Sequence, residues 1–407
     1  MIQIASRIEA MKSSPTIAMA ERARELRGQG RAIISLASGE PDFDTPAHIR
    51  QAGIDAINRG ETRYTDVAGT LALRKAVAAK FKRENELDYS PDEIIVGTGA
   101  KQLIYNALVA TLEEGNEVIV PAPYWVSYPD MVALAGGVPV SLPCPPSNGF
   151  KIEPAALEAA INANTRWLIL NAPGNPSGAV YSRDEMAALC EVLLRHPQVA
   201  IMADDIYEHL RYDDVPFFTI AQVEPRLRDR VLTINGVSKA YAMTGWRIGY
   251  AGGPRRLIRE MVKIQSQTTS NATSVAQAAA LAALKGPQDC VAEGVAEYRR
   301  RRDMVLSVLR SAPGLHVPAP SGAFYILADV ADLIGSMTPD GETLDDDAAV
   351  CMYLLDAANV ALVPGSAFGT PGMIRMTFAA GDDDLRTACE AIVEAVRKLD
   401  LSGANRA

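Results

Sequence analysis

The sequence has little of what metal centres and disulfide frameworks require: four histidines and five cysteines in 407 residues. Cys144, Cys190, Cys290, Cys351 and Cys389 lie far apart, with neither CxxC spacing nor a nearby His pair. No metal site is expected, and the cysteines read as reduced core residues of a cytoplasmic protein. Long apolar runs are missing as well. The opening MIQIASRIEAMKSSPTIAMAERARELRG has no continuous apolar stretch of the signal-peptide kind, and no later segment approaches the roughly 18 to 20 apolar residues of a membrane span. The chain is therefore expected to be soluble and unprocessed, with no membrane partner. Positive charge is not in excess: the formal net charge is −9 and aromatics make up 6%, which argues against nucleic acid as the main partner. Any anionic ligand must be held by local Arg or Lys. Internal repeats and low-complexity segments are absent too. The one basic run, Arg299 to Arg302, falls in a helical stretch from Gln288 to Leu309 and reads as a solvated face.

What is present is ordinary globular chemistry, 48% hydrophobic and 22% charged, in a chain long enough for two domains. Short apolar runs (Ile94–Val96, Glu117–Val120, Trp167–Leu170, Val199–Met202, Val231–Ile234) alternate with helical stretches such as Ala47–Asn58 and Arg183–Leu194. That alternation predicts an α/β domain with a mainly parallel sheet. After Gly253 the pattern turns helical, broken by TTSNATS, before strands near SGAFYIL and MIRMTF and a closing helix from Asp383 to Leu399. The expected division is discontinuous: a large domain over 49–284, and a small one from 1–48 with 285–407.

In such sheets ligands bind beyond the carboxyl ends of the strands. Gly99, Trp125, Asn175, Asp204 and Lys239 all follow predicted strands directly. GTGAK, between a strand and a helix, would turn the free amides of Gly99, Ala100 and Lys101 toward an anion. It lacks the third glycine of a dinucleotide fingerprint and is no P-loop. Trp125 is either packing or a stacking platform, and Asp204 either a helix cap or a site carboxylate. Lys239, in NGVSKAYAMTGWRIGY, is either a snorkelling lysine or an amine whose partial burial lowers its pKa and readies it to form a Schiff base.

Taken in order, SGEPDFDTP, PYWVSYP, NAPGNPSG, DDIYEHL, SKAYAMTGWRIGY, SGAFY, VPG and RMTF cover essentially the whole chain and resemble a fold-type I pyridoxal-phosphate aminotransferase of class I. The likeness is greatest to the bacterial branch of aspartate and prephenate aminotransferases. The resemblance implies a large domain with a seven-stranded, mainly parallel sheet between helices. It also implies the cofactor pyridoxal 5′-phosphate, carried by Lys239 as an internal aldimine, and ping-pong transamination between an amino acid, foremost L-aspartate, and 2-oxoglutarate. Asp204 would pair with the ring nitrogen, Tyr207 and Asn175 with the ring oxygen, and Trp125 would stack on the ring. Ser238, Arg247 and the Gly99–Lys101 amides would hold the phosphate. Tyr64 would join them from the neighbouring subunit of a homodimer whose active sites lie at the interface. Arg375 would clamp the substrate carboxylate, helped by a Gly39 backbone contact; Lys101, Lys12 and Thr16 are candidates for a distal carboxylate. Ala122-Pro123 and Asn175-Pro176 would be cis. Asp205 and Gly174 depart from the family pattern, which has Glu and Asn or Asp there. The alternatives are a prephenate or aromatic aminotransferase, a β-lyase on the same scaffold, or a cofactor-sensing regulator domain. The last needs an N-terminal DNA-binding domain, and only about 30 residues precede the first predicted strand.

Overall fold

The computed structural model describes residues 2–9, 11 and 15–403. Its strands in chain order are β1 (Ile34–Ser35), β2 (Ile94–Gly97), β3 (Glu117–Ala122), β4 (Val138–Pro143), β5 (Thr165–Asn171), β6 (Ala200–Asp204), β7 (Val231–Gly236), β8 (Gly249–Gly252), β9 (Tyr325–Asp329), β10 (Val360–Ala361), β11 (Val363–Pro364) and β12 (Met373–Thr377). Seven of them form one sheet in the order β2-β8-β7-β6-β5-β3-β4. All neighbours are parallel except β8, which runs against both β2 and β7.

The apolar runs explain this sheet. Both faces are covered, so β2 and β7 are buried at every position, as continuous hydrophobic strands should be. Alternate side chains enter different cores: Ile119, Leu168 and Ile201 pack on one face, and Val118, Val120, Ile169 and Met202 on the other. β4 escaped the sequence reading because VPVSLP carries two prolines and is largely exposed. An edge strand tolerates prolines, since its outer N–H groups have no partner to lose.

A third core gathers residues from both ends of the chain, including Leu26, Leu36, Phe324, Val350, Phe378 and Ile392. It surrounds the antiparallel sheet β11-β12-β9, while β1 pairs in parallel with β10. Tyr207, Leu210 and Tyr212, from the segment after β6, also enter this core.

One expectation fails here. Arg299 and Arg300 are solvated, but Arg301 and Arg302 are only 7% and 5% exposed, so the basic run is not a single solvated face. Successive helical residues point about 100° apart, and the second pair turns inward. Arg301 Nη1 donates to both Asp42 carboxylate oxygens at 2.8 Å, and Arg302 Nη1 to Asp213 Oδ2 at 2.6 Å. Cys290 is likewise only partly buried, whereas the other four cysteines are buried, and all five are free. No described helix is long and apolar enough to cross a membrane.

Candidate active site

The carboxyl ends of β2, β3, β5, β6 and β7 converge on a cavity of about 450 Å³. Because β8 runs the other way, its start reaches the same end of the sheet and brings Arg247 with it. Gly39, Ala100, Lys101, Trp125, Asn175, Asp204, Tyr207, Ser238, Lys239, Arg247 and Arg375 all line this space. Residues as far apart in sequence as Gly39 and Arg375 thus meet.

Asp204 ends β6 and is 3% exposed. Its Oδ2 accepts from Tyr128 Oη at 2.6 Å, and its Oδ1 from the Ile206 amide at 3.4 Å. Its carbonyl accepts from Asn171 Nδ2 at 2.8 Å. Burial pushes the carboxyl up to about 6, against the lowering effect of Tyr128, the Ile206 amide and the nearby Lys239. This is a buried acid supported by neutral donors, with room for a cation in the cavity it lines.

Lys239 lies beyond β7 and donates from Nζ to the Gly39 carbonyl at 2.5 Å. Burial lowers its ammonium to about 8; Glu40 and Asp204 oppose the shift, while Arg247 and Arg375 reinforce it. At pH 7 about one in ten such amines is neutral, against roughly one in 3,000 for a solvated lysine. The snorkelling alternative is excluded because Nζ is hydrogen-bonded inside the cavity rather than reaching the surface.

The anion cradle is narrower than expected. Gly99 adopts φ +81°, and its N–H donates to the Gly97 carbonyl at 2.9 Å, so the tight turn consumes an amide that was expected to be free. The Ala100 and Lys101 amides remain, in a first helical turn that has no intrahelical acceptors for them. A Cβ at Gly99 would stand 2.5 Å from Arg247 Nη2, which places the guanidinium directly against the cradle. Ser238 lies on the same cavity wall.

Arg375, on β12, is 4% exposed. It donates to Asn175 Oδ1 at 3.1 Å and to the Ala37 carbonyl at 2.6 Å, while its Nε has no partner. Among the described residues no carboxylate pairs with it. A buried guanidinium without an anion is expensive and is suited to taking one from a ligand. Asn175 Oδ1 being engaged, its amide nitrogen is the donor left for another partner.

Lys101 Nζ sits 4.6 Å from the Trp125 ring centroid and donates to Ser127 Oγ at 3.1 Å. Burial and the positive Arg247 lower its pKa. Tyr64 is 89% exposed and outside the cavity lining. Lys12 and the Thr16 side chain lie outside the described residues. Ala122-Pro123 and Asn175-Pro176 are cis as expected, and Ala172-Pro173 is cis as well. Asp205 is buried with an unpartnered Oδ2, and burial pushes it well above the usual carboxylate range.

The sequence reading missed Tyr128, Asn171, Tyr325, Glu40 and Thr244. Tyr128 had a usable signal, since it stands one helical turn after Trp125. Asn171 faces Asp204 across the β5–β6 pairing, which no local pattern announces. Glu40 accepts from Thr244 Oγ1 at 3.0 Å across 204 residues.

The family profile for aminotransferase class I and II matches residues 31–392. Among curated proteins, the chain is 56% identical over 382 residues to an aspartate/prephenate aminotransferase of Cereibacter sphaeroides, covering 94% of this chain and 96% of that protein. It is 51% identical over 397 residues to an aspartate aminotransferase of Rhizobium meliloti, covering 98% and 97%. Among solved structures, aspartate aminotransferase from Rhizobium meliloti superposes with a TM-score of 0.96 at 50% identity, covering 98% of this chain and 100% of that one. The Thermus thermophilus enzyme with maleate gives 0.90 at 41%, covering 97% and 100%.

Proposed function

The chain belongs to the class I and II aminotransferases, and from that membership we propose that it is a pyridoxal-phosphate enzyme moving an amino group between L-aspartate and 2-oxoglutarate. One observation carries the reading: an amine with a lowered pKa, a buried carboxylate held by neutral donors and a carboxylate-free buried guanidinium share one cavity. Each lacks what the cofactor or substrate would bring. Asp204 would hold the protonated ring nitrogen, Trp125 would cover the ring, and Asn175 and Tyr207 would donate to the ring oxygen. Arg247, Ser238 and the Ala100 and Lys101 amides would take the phosphate.

When bound, the cofactor supplies an aldehyde that accepts the amino group and a ring that draws electrons from the substrate Cα. Lys239 Nζ would anchor that aldehyde and, when free, would carry the proton taken from the substrate Cα. Its lowered pKa makes a neutral amine available near neutral pH. Arg375 grips the α-carboxylate bidentately, which orients the Cα–H bond.

In the test, protein loaded with pyridoxal phosphate and mixed with aspartate alone should lose the absorbance of the lysine-linked cofactor and release about one equivalent of oxaloacetate per site, as ping-pong chemistry requires. Turnover should need an oxo acid. No absorbance change with any amino acid would sink the proposal. A second reading, with prephenate as acceptor, is favoured by the Cereibacter sphaeroides relative, which is an aspartate/prephenate aminotransferase.

Both acceptors carry a second carboxylate, and the Thermus thermophilus relative was solved with the dicarboxylate maleate. Lys101, which lines the cavity beside Trp125, would receive it. Lys101→Ala should reduce kcat/KM for 2-oxoglutarate by about 1 to 3 kcal/mol more than for phenylpyruvate. Equal losses for the two acceptors would move the distal contact elsewhere.

We also propose a homodimer in which Tyr64 reaches the partner's phosphate site. Its support is the surface of Tyr64, Ile54 and Ile57, exposed at 89%, 50% and 55%. A monomer in light scattering at assay concentrations would remove it.

A further inference from the structure

Tyr325, at the start of β9, lies outside every residue role assigned above, yet it touches two of them. It is fully buried, and its Oη lies 2.9 Å from Tyr207 Oη. Its ring centroid is 4.7 Å from the Arg375 guanidinium carbon, with the Phe368 ring at 4.9 Å from the same carbon. The register explains the second contact. Tyr325 pairs with Thr377 and Leu327 with Arg375, so Tyr325 and Arg375 are diagonal neighbours on one sheet face.

The first contact follows from the third core, built from both ends of the chain. The segment after β6 inserts Tyr207 among Phe324 and Tyr325. One hydrogen bond joins the two hydroxyls, and only one of them can donate in it. Tyr325 Oη has Tyr207 as its one hydrogen-bond partner among the described residues. Buried hydroxyls are satisfied where geometry allows. If Tyr325 donates, the Tyr207 hydrogen is released toward an acceptor in the cavity, and both hydroxyls are satisfied once the ring oxygen arrives.

We propose that Tyr325 is a positioning residue that aims the Tyr207 hydroxyl at the cofactor's ring oxygen and, with the same ring, holds the Arg375 fork flat for the substrate carboxylate. The inference rests on the pyridoxal-phosphate reading above and deepens it. A single side chain then links the group that tunes the cofactor to the group that recognises the substrate.

The two halves separate experimentally. Donation from Tyr207 draws negative charge from the ring oxygen, charge that would otherwise hold a proton on Lys239 Nζ. Tyr325→Phe keeps the ring and loses the hydroxyl. In loaded enzyme it should raise the pH at which the Lys239 nitrogen deprotonates, followed by absorbance, by about half a unit to one unit. KM for 2-oxoglutarate should stay within about twofold. Tyr325→Leu should show the same titration shift and also raise KM about 3- to 30-fold, because the stacked cation is lost. The double variant Tyr207→Phe/Tyr325→Phe should titrate like Tyr207→Phe alone, since one hydroxyl acts through the other.

An unmoved titration in Tyr325→Phe, or shifts that add in the double variant, overturns the inference while leaving the cofactor assignment standing. A wild-type protein with no absorbance response to pyridoxal phosphate overturns both. Should Tyr325→Leu not fold, the volume-preserving Tyr325→Phe and the double variant still decide.

Discussion

Lys239→Ala is expected to lower kcat by at least about 10⁴-fold while leaving a folded protein that still takes up pyridoxal phosphate. The magnitude combines two losses: the proton carrier at the substrate Cα, a role typically contributing 10² to 10⁴, and the covalent anchor. Uptake should persist because Asp204, Arg247, Trp125 and the helix amides are untouched. Absorbance of the bound cofactor should therefore be that of a free aldehyde, with no lysine-linked form at any pH. A variant turning over aspartate at a near-normal rate would refute the assignment of Lys239. The wild-type residue carries a pH signature too. With the ammonium lowered to about 8, capture of added cofactor should quicken about tenfold per pH unit up to about pH 8 and level off above it. A solvated lysine would keep accelerating toward its ordinary value near 10.4.

Asp204→Asn should separate stability from activity. In the cofactor-free protein the carboxyl is raised to about 6 from its ordinary 3.8. Between these values the folded state binds more protons than the unfolded one, so this group's contribution falls as pH rises from about 4 to 6 and stays unfavourable above. The full difference corresponds to about 3 kcal/mol. Replacing the charge with an amide should thus raise the melting temperature of the cofactor-free protein at pH 8, with most of the gain gone at pH 4. The loaded enzyme should respond in the opposite sense. Removing one partner of a buried charge pair costs about 2 to 5 kcal/mol, equivalent to roughly 30- to 5,000-fold in kcat. Unchanged turnover would detach Asp204 from the ring nitrogen; an identical stability change at pH 4 and pH 8 would mean that the carboxylate is not the strained group. Sites built this way trade stability of the empty protein for chemistry in the loaded one.

The proposed site is economical in polar groups but exacting about their neighbours. Arg375 has two ring centroids 4.7 and 4.9 Å from its guanidinium carbon and, among the described residues, no carboxylate partner, and its engagement by Asn175 and Ala37 leaves one nitrogen without a partner. Asp204 leans on a phenol rather than on a charged donor. These arrangements keep both charges available for a ligand instead of spending them on each other.

The sequence by itself determined the alternation of strands and helices, the strand-end positions of Asp204, Asn175 and Lys239, and the family. Local physics sufficed for these: a doubly covered strand must be a short apolar run, and the residue after it sits at an exposed end of the sheet. Only the tertiary structure decided which strand ends are neighbours, and with it the pairing of Asn171 with Asp204, the reversal of β8 that delivers Arg247, and the meeting of Tyr207 with Tyr325. It also decided that Arg301 and Arg302 turn inward and that the Gly99 amide is already engaged. Periodicity records how a segment divides inside from outside, but strand order, helix rotation and hydrogen-bond closure arise from contacts between segments hundreds of residues apart, and no window of sequence contains both partners.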